Sequence, residues 1–232
     1  MCSHNTTFTI SGRNYRVIAC SVKGNNKADN QDSYGIFADE NQLIVVVADG
    51  LGSAELSNIG SKMAVDAAIE VLSSKVDVDS LSKRVFDVWA EKIGPQISRY
   101  DTTCKFVKLT GDNVIYGGIG DGWIVIKDQK GCTELVADNL FTNQTDSILS
   151  DDLESKFVVK SFKNDTVENI LMATDGFSED FQKERIIPFL ESAHEQIMAN
   201  HEAFRKDMGT FLADWPVKTN EDDKTVIIIQ GE

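Results

Sequence analysis

Three aspartates close apolar runs of this chain, and each of them is followed by glycine. Asp49 ends LIVVVAD, Asp121 ends NVIYGGIGD, and Asp175 ends ENILMATD. A fourth acidic pair, Asp222 and Asp223, stands just before the apolar run TVIII. A carboxylate at the mouth of a buried strand costs about 1–3 kcal/mol or more unless it is neutralised. Because converging carboxylates repel one another, a divalent cation such as Mg2+ or Mn2+ is their natural counter-charge, and the pattern indicates metal-dependent hydrolysis.

The composition is that of a globular chain with an acidic surface. The 232 residues carry a net charge of −14 and are 41% hydrophobic. A general nucleic-acid or anionic-membrane surface needs positive charge, so neither partner is expected. No apolar stretch approaches the roughly 20 residues that span a bilayer, and the N-terminus lacks the layout of a secretory signal. We therefore expect a cytoplasmic protein, a single domain over residues 1–232, and four reduced cysteines.

Hydrophobic periodicity predicts strands and helices in blocks rather than in strict alternation. Four strands are expected in the first fifty residues, followed by helices over about 54–74 and 78–98. Three strands come next, then a polar, exposed loop or flap at 138–155 and two more strands. Residues from about 181 to 214 are expected to be helical with a break near Asn200, and a last strand closes the chain. Hairpin-joined strands and paired helices indicate an α+β fold in which helices cover the outer faces of two antiparallel sheets.

Six motifs, spread in order over nearly the whole chain, resemble those of the metal-dependent PP2C-type serine/threonine phosphatases, in particular the compact bacterial branch. The motifs are KADNQDSYGIF, VVVADGLGSAELSNIGSKMAV, DTTCKFVKLT, YGGIGDGWIVI, LMATDGFSED and NEDDKTVIII. The resemblance implies a central antiparallel β-sandwich flanked by paired α-helices. It also implies two Mn2+ or Mg2+ ions in a cleft at the strand ends, a phosphoprotein as substrate, and a kinase as counterpart.

The resemblance assigns roles to the acidic residues one by one. Asp49 matches the aspartate that bridges both ions, and the carbonyl of Gly50 matches a backbone ligand. Asp175 and Asp222 match the remaining ligands of the first ion, while Asp121 matches the ligand of a third, weaker ion in bacterial members. The catalytic carboxylates would therefore be Asp49, Asp175 and Asp222, which hold the ions that activate a water molecule for direct attack on phosphorus.

Several positions depart from the best-known family pattern. Lys27 stands where many members have a phosphate-binding arginine, and it lacks the bidentate fork of that residue. Gln31 replaces a glutamate that touches the second ion, and Leu51 replaces a histidine proposed as general acid. Asp32 is expected to support the metal ligands from behind or to hold a water molecule; the alternative is that its side chain caps a turn. Asp223 replaces an asparagine, and we expect it to support the neighbouring ligand.

Two further readings of the sequence stay open. The departures are also compatible with a catalytically weak or silent metal-binding or regulatory module of the same fold. A hydrolase that acts on a small phosphate ester is the other alternative. Each Asp-Gly pair taken singly is also typical of a turn that ends a strand, so the prediction rests on the order and context of the whole set.

Overall fold

The computed structural model describes residues 2–75, 77–128, 131–136, 145–164 and 167–231. Its strands in chain order are β1 (Cys2–Ile10), β2 (Arg13–Val22), β3 (Asp32–Ala38), β4 (Gln42–Asp49), β5 (Cys104–Thr110), β6 (Asn113–Ile119), β7 (Trp123–Asp128), β8 (Gly131–Val136), β9 (Val158–Lys163), β10 (Val167–Ala173) and β11 (Lys224–Gly231). Its α-helices are α1 (Ser57–Ser73), α2 (Leu81–Ile93), α3 (Leu153–Lys156), α4 (Asp175–Ser178) and α5 (Ile186–Ala213). The strands form two antiparallel sheets with the orders β1-β2-β11-β10-β7-β8 and β3-β4-β5-β6-β9. This confirms the predicted α+β class.

The central strands are apolar on both faces because each lies between the opposite sheet and a layer of helices. In β4, Val45 and Val47 belong to the core between the sheets. Ile44 and Val46 of the same strand belong to the core beneath the helices. A strand covered on both sides must bury every side chain, which explains the continuous apolar run before Asp49.

The helices cover the two outer faces of the sandwich. The buried side chains of α1 and α2, including Ala64 and Trp89, pack on the second sheet. Those of α5, including Leu190, pack on the first. The predicted break in α5 is confirmed at Asn200, whose φ of −163° is extended and whose side-chain oxygen accepts the backbone N–H of Ala203 at 3.1 Å. In the described ranges no helix is both long and apolar enough to cross a membrane.

The polar segment at 138–155 differs from the prediction. Residues 138–144 lie outside the described residues. In the remainder, Ser147 and Ile148 are only 4% and 1% exposed, so the expectation of an exposed loop is wrong there. The reason is that Ile148 joins the core beneath α1 and α2. The sequence interpretation also missed β8, which pairs along the edge of β7.

The expectation of four reduced cysteines is wrong for Cys20, which is disulfide-bonded. Cys104 and Cys132 carry reduced thiols. Cys20 and Cys2 are register partners in the hairpin of β1 and β2. Spacing along the chain could not show this, because the proximity of two cysteines in a hairpin depends on strand register.

Candidate metal centre

The predicted site residues meet in one cavity of about 680 Å3 at one end of the sandwich. Strands β4, β6 and β10 end here, and β11 begins here. The cavity is lined by all five predicted metal ligands and by the predicted phosphate-binding lysine: Asp49, Gly50, Asp121, Asp175, Asp222 and Lys27. Gln31, Asp32 and Asp223 do not line it and lie behind it. The aspartates distant in sequence therefore share one solvent-filled space.

Hydrogen bonds to the two threonines before β5 fix the backbone of Asp49. Its N–H donates to the hydroxyl of Thr103 at 2.8 Å, and its carbonyl accepts the Thr103 N–H at 2.8 Å. The hydroxyl of Thr102 donates to the same carbonyl at 2.8 Å. The next residue, Gly50, donates its N–H to the carbonyl of Gln31 at 3.1 Å. The two threonines before β5 therefore fix the end of β4 and the direction in which the Asp49 carboxylate leaves it.

Asp175 begins the single turn of α4, immediately after β10. The side chain of Asp175 is half-buried, and its Oδ1 is buried without a partner among the described residues. Burial raises the pKa of Asp175, and the charges of Asp121 and Asp222 raise it further. Burial also raises the pKa of Asp49 well above its usual range, together with the charges of Asp32 and Asp175. Two such carboxyl groups in one cavity, one of them with an unpartnered oxygen, fit a divalent cation bound by hard oxygen ligands.

The glycine after Asp175 has a packing cause. A side chain at Gly176 would overlap the backbone carbonyl of Asp223. The turn that carries Asp175 can therefore lie directly against the segment that carries Asp222 only because residue 176 has no Cβ. This close approach brings two of the predicted ligands together.

Lys27 reaches the acidic pair before β11. Its ammonium donates to Asp222 Oδ1 and lies 3.2 Å from Asp223 Oδ2. Asp223 is 1% exposed and accepts the N–H groups of Gly24 and Gln31, both at 2.8 Å. Burial alone would lower the pKa of Lys27, but the hydrogen bond and charge of Asp222 raise it well above its usual range. Asp223 thus anchors the loop that carries Lys27, while Asp222 faces the cavity.

Asp32 lies beneath the cavity. Its Oδ2 accepts the hydroxyls of Thr174 at 2.8 Å and Thr225 at 2.7 Å, whereas its Oδ1 is buried without a partner among the described residues. Burial raises the pKa of Asp32 to about 7, although the two threonine hydrogen bonds act in the opposite direction. Asp32 is the register partner of Asp49, so it links the strand that ends at Asp49 to the residue before Asp175.

Gln31 and Leu51 show what the departures from the family pattern do here. The side-chain amide of Gln31 donates to the hydroxyl of Ser57 at 2.6 Å, at the start of α1, and does not face the cavity. Leu51 lines the cavity and donates its N–H to the carbonyl of Asp101 at 3.0 Å. None of the described residues that line the cavity is a histidine.

Several residues that line the cavity carry polar groups that the sequence interpretation did not assign, among them Thr145, Asn220 and Glu179. Thr145 donates its hydroxyl to Asp121 Oδ2 at 2.7 Å. Asn220 donates to the carbonyl of Gly176 at 2.9 Å. Glu179 adds a carboxyl group whose pKa is raised by burial and by the charge of Asp175. Glu179 and Asn220 had a sequence signal, since Glu179 lies in LMATDGFSED and Asn220 begins NEDDKTVIII.

The carboxylates share the cavity but do not form a ready-made cage. Within the part of the chain that the structure describes, no three acidic, histidine or cysteine side chains are placed as a complete ligand set. The ion pair between Lys27 and Asp222 accounts for this in part, because a lysine ammonium neutralises the carboxylate that the resemblance assigns to the first ion. Metal binding would therefore require Asp222 to move from the lysine to the ion.

Comparison with known proteins decides the family. The sequence profile of protein phosphatase 2C matches residues 23–213. The chain belongs to the protein phosphatase 2C family. This family comprises metal-dependent phosphoprotein phosphatases. The predicted function, metal-dependent phosphoprotein hydrolysis, and the predicted Mn2+ or Mg2+ cofactor are therefore confirmed. No curated protein sequence matches the chain significantly.

Solved phosphatase 2C structures share the fold at low sequence identity. The structure of RsbX in complex with magnesium is 17% identical with a TM-score of 0.62, over 100% of this chain and 99% of that chain. The catalytic domain of PstP with 2 manganese ions is 17% identical with a TM-score of 0.66, over 94% and 98% of the two chains. Stp1 from Staphylococcus aureus is 15% identical with a TM-score of 0.65, over 99% and 98%. These similarities confirm the predicted sandwich of sheets and helices.

Proposed function

We propose that this phosphatase 2C chain hydrolyses phosphoserine and phosphothreonine in proteins with the help of two Mn2+ or Mg2+ ions. The observation that carries the proposal is the pair of half-buried carboxyl groups of Asp49 and Asp175, which line one cavity, where Asp175 Oδ1 has no partner among the described residues. Such a pair is unfavourable without a counter-charge and suits a cation of high charge density.

The proposed ligands are Asp49, the carbonyl of Gly50, Asp175 and Asp222, with Asp121 on the side of the cavity where a third ion would bind. Asp49, Asp175 and Asp222 are the catalytic carboxylates. When bound, two divalent ions polarise the phosphoryl oxygens and lower the pKa of the attacking water.

The remaining residues position these groups. Asp32 and Asp223 hold the ends of β3, β10 and β11 together through the hydrogen bonds described above. Gln31 fixes the start of α1 through Ser57. Because these contacts are buried or half-buried, they keep the ligand-bearing strand ends in place before any substrate arrives.

Lys27 is the proposed phosphate-binding residue. It is the only lysine or arginine among the described residues that line the cavity. Its ammonium would contact a phosphoryl oxygen once Asp222 binds an ion instead. As a point charge with three rotatable donors, lysine can transfer between a carboxylate and a phosphate without a fixed geometry.

Leu51 cannot supply a proton to the leaving alkoxide. With no histidine among the described lining residues, no imidazolium lies at the cavity as a general acid. We therefore expect substrates whose leaving group is already a weak base, such as an aryl phosphate, to react faster than alkyl phosphates of similar size.

The test is hydrolysis of p-nitrophenyl phosphate and of phosphoserine and phosphothreonine peptides, each with Mn2+ and with Mg2+. Activity should be lost in Asp49→Ala and Asp175→Ala and retained in Asp87→Asn, a matched surface control on α2. An inactive wild-type protein that still binds Mn2+ would favour the silent module. Activity on small phosphate esters without activity on phosphopeptides would favour the small-molecule hydrolase.

We further propose a protein kinase as counterpart, because a phosphoprotein substrate requires a kinase that forms it. A cytoplasmic location and a single domain over residues 1–232 remain proposals. The single domain is supported by a core between the sheets to which strands from both ends of the chain contribute. Limited proteolysis that leaves one resistant fragment of near full length would support it, and two stable fragments would contradict it.

A further inference from the structure

Lys105 is a lysine inside the sandwich. It lies on β5 between Cys104 and Phe106 and is only 4% exposed. The residues two and four positions further along β5, Val107 and Leu109, belong to the core between the sheets, so Lys105 points to the same inner face. A lysine is almost never fully buried unless its charge is paired. None of the ion pairs among the described residues includes Lys105.

Strand register places Lys105 next to the candidate metal centre. Its partner on β4 is Val47, two residues before Asp49 and on the same face of the strand. Its partner on β6 is Gly118, three residues before Asp121. A side chain at Gly118 would overlap the backbone of Cys104, so a glycine there lets β6 lie close to β5 at this point.

The charge of Asp121 acts on this lysine. Burial lowers the pKa of Lys105 to about 8, and the negative charge of Asp121 opposes that lowering. The carboxylate of Asp121 therefore favours the charged form of a side chain that has lost nearly all of its contact with water.

Two lysines thus lie near the carboxylates in different settings: Lys27 lines the cavity, and Lys105 lies on the inner face of β5 within the field of Asp121. Lys27 contacts Asp222 from a loop and is partly exposed, so it can move when an ion binds. Lys105 projects from the middle of a sheet and is enclosed, so it cannot leave. A fixed positive charge repels a divalent cation that would bind nearby, and in a buried place this repulsion is screened little by salt.

We propose that Lys105 is an internal counter-charge, fixed in position on the Asp121 side of the metal centre, which weakens the binding of any divalent ion beyond the two held by Asp49, Asp175 and Asp222. This inference rests on the metal-dependent function proposed above. It assigns the positive charge that balances Asp121 to the chain itself rather than to a third ion.

Isothermal titration of the full-length, EDTA-treated protein with Mn2+ tests the inference. In Lys105→Met, which keeps the length and apolar body of the side chain, we expect an additional Mn2+ to bind, or the weakest Mn2+ to bind about tenfold more tightly. The gain should disappear in the double variant Lys105→Met/Asp121→Asn. Lys108→Met is the matched control: its lysine lies three positions along β5, donates to the carbonyl of Leu72, and should leave the titration unchanged.

The outcomes separate the two proposals. If the wild-type protein binds Mn2+ and Lys105→Met gives the same titration, the role of Lys105 is overturned while the metal-dependent function stands. If the wild-type protein binds no Mn2+, both are overturned. Should Lys105→Met fail to fold, Lys105→Gln decides by the same titration. The same gain in Mn2+ binding is expected there, and an unchanged titration overturns the inference.

Discussion

Asp49 and Asp222 face the same cavity, yet the chain holds them in opposite ways. Asp49 ends a central strand, and three hydrogen bonds from Thr102 and Thr103 fix its backbone. Asp222 lies in the segment before β11 and pairs with Lys27, which itself lies in a loop. One side of the centre is therefore built into the sheet, and the other side is adjustable. The difference suggests that Asp49 provides the geometry of the site and that Asp222 and Lys27 respond to the ion.

The largest expected effect separates the two carboxylates directly. Asp49→Asn should reduce kcat by on the order of 10^3-fold or more at any Mn2+ concentration, because no other group can take its central place. Asp222→Asn should reduce activity by about 10–100-fold and recover in part at high Mn2+, because its contribution is mainly to ion affinity. Steady-state kinetics over a Mn2+ series checks both variants. Equal, Mn2+-independent losses would contradict the division into a fixed and an adjustable side.

Metal removal should destabilise the protein at neutral pH. An ion present at about 100 times its Kd stabilises the folded state by about 2.7 kcal/mol. For a chain of this size that corresponds to a Tm difference of roughly 5–10 °C between Mn2+ and EDTA. Thermal melting in both conditions measures the difference, with Mn2+ added to Asp49→Ala as the control. A Tm that is indifferent to Mn2+ and EDTA would argue against a metal centre.

The metal-free protein should also lose stability as the pH rises. The pKa of Asp32 is raised from 3.8 to about 7 in the folded protein. The folded chain therefore binds this proton more tightly than the unfolded chain does. The resulting stabilisation is fully present below the unfolded pKa of 3.8 and is lost as the pH rises to the folded pKa of about 7. Melting in EDTA between about pH 4 and pH 7 should show a falling Tm, and Asp32→Asn should flatten the profile.

The contact between β4 and β5 gives an intermediate effect. Thr103→Val removes the hydroxyl that accepts the Asp49 N–H and should lower the free energy of unfolding by about 1–2 kcal/mol. The same change should lower Mn2+ affinity by about 10–100-fold, because the direction of the Asp49 carboxylate is no longer fixed. Chemical denaturation and Mn2+ titration measure the two effects. Thr210→Val in α5, far from the cavity, is the matched control and should change the Mn2+ affinity little.

The smallest effect is expected on the adjustable side. Lys27→Met removes a competitor for Asp222, so Mn2+ should bind a few-fold more tightly, while KM for a phosphopeptide should rise by about 3–10-fold. Lys27→Arg should retain the KM of the wild-type protein or lower it. Unchanged Mn2+ affinity in Lys27→Met would show that the ion pair with Asp222 does not compete with the ion.

The elements were predictable where one local pattern dominates. The double-sided burial of β4 shows as an unbroken apolar run, and the break at Asn200 shows as a polar interruption of a helical period. The edge strand β8 has no such pattern, because an edge strand packs on fewer neighbours. Ile148 was misjudged because it and Leu149 form only a short apolar pair in a largely polar stretch, and its burial depends on α2 and on strands distant in sequence.

For the candidate site, the sequence by itself determined which carboxylates are available and that each stands at a strand end, since alternation and Asp-Gly turns are local properties. Only the tertiary structure decided that Asp49 and Asp175 line one cavity, that Lys27 pairs with Asp222, and that Lys105 lies on the inner face. These contacts join residues up to 195 positions apart. Strand register and sheet order set them, and no short-range pattern in the chain records either one.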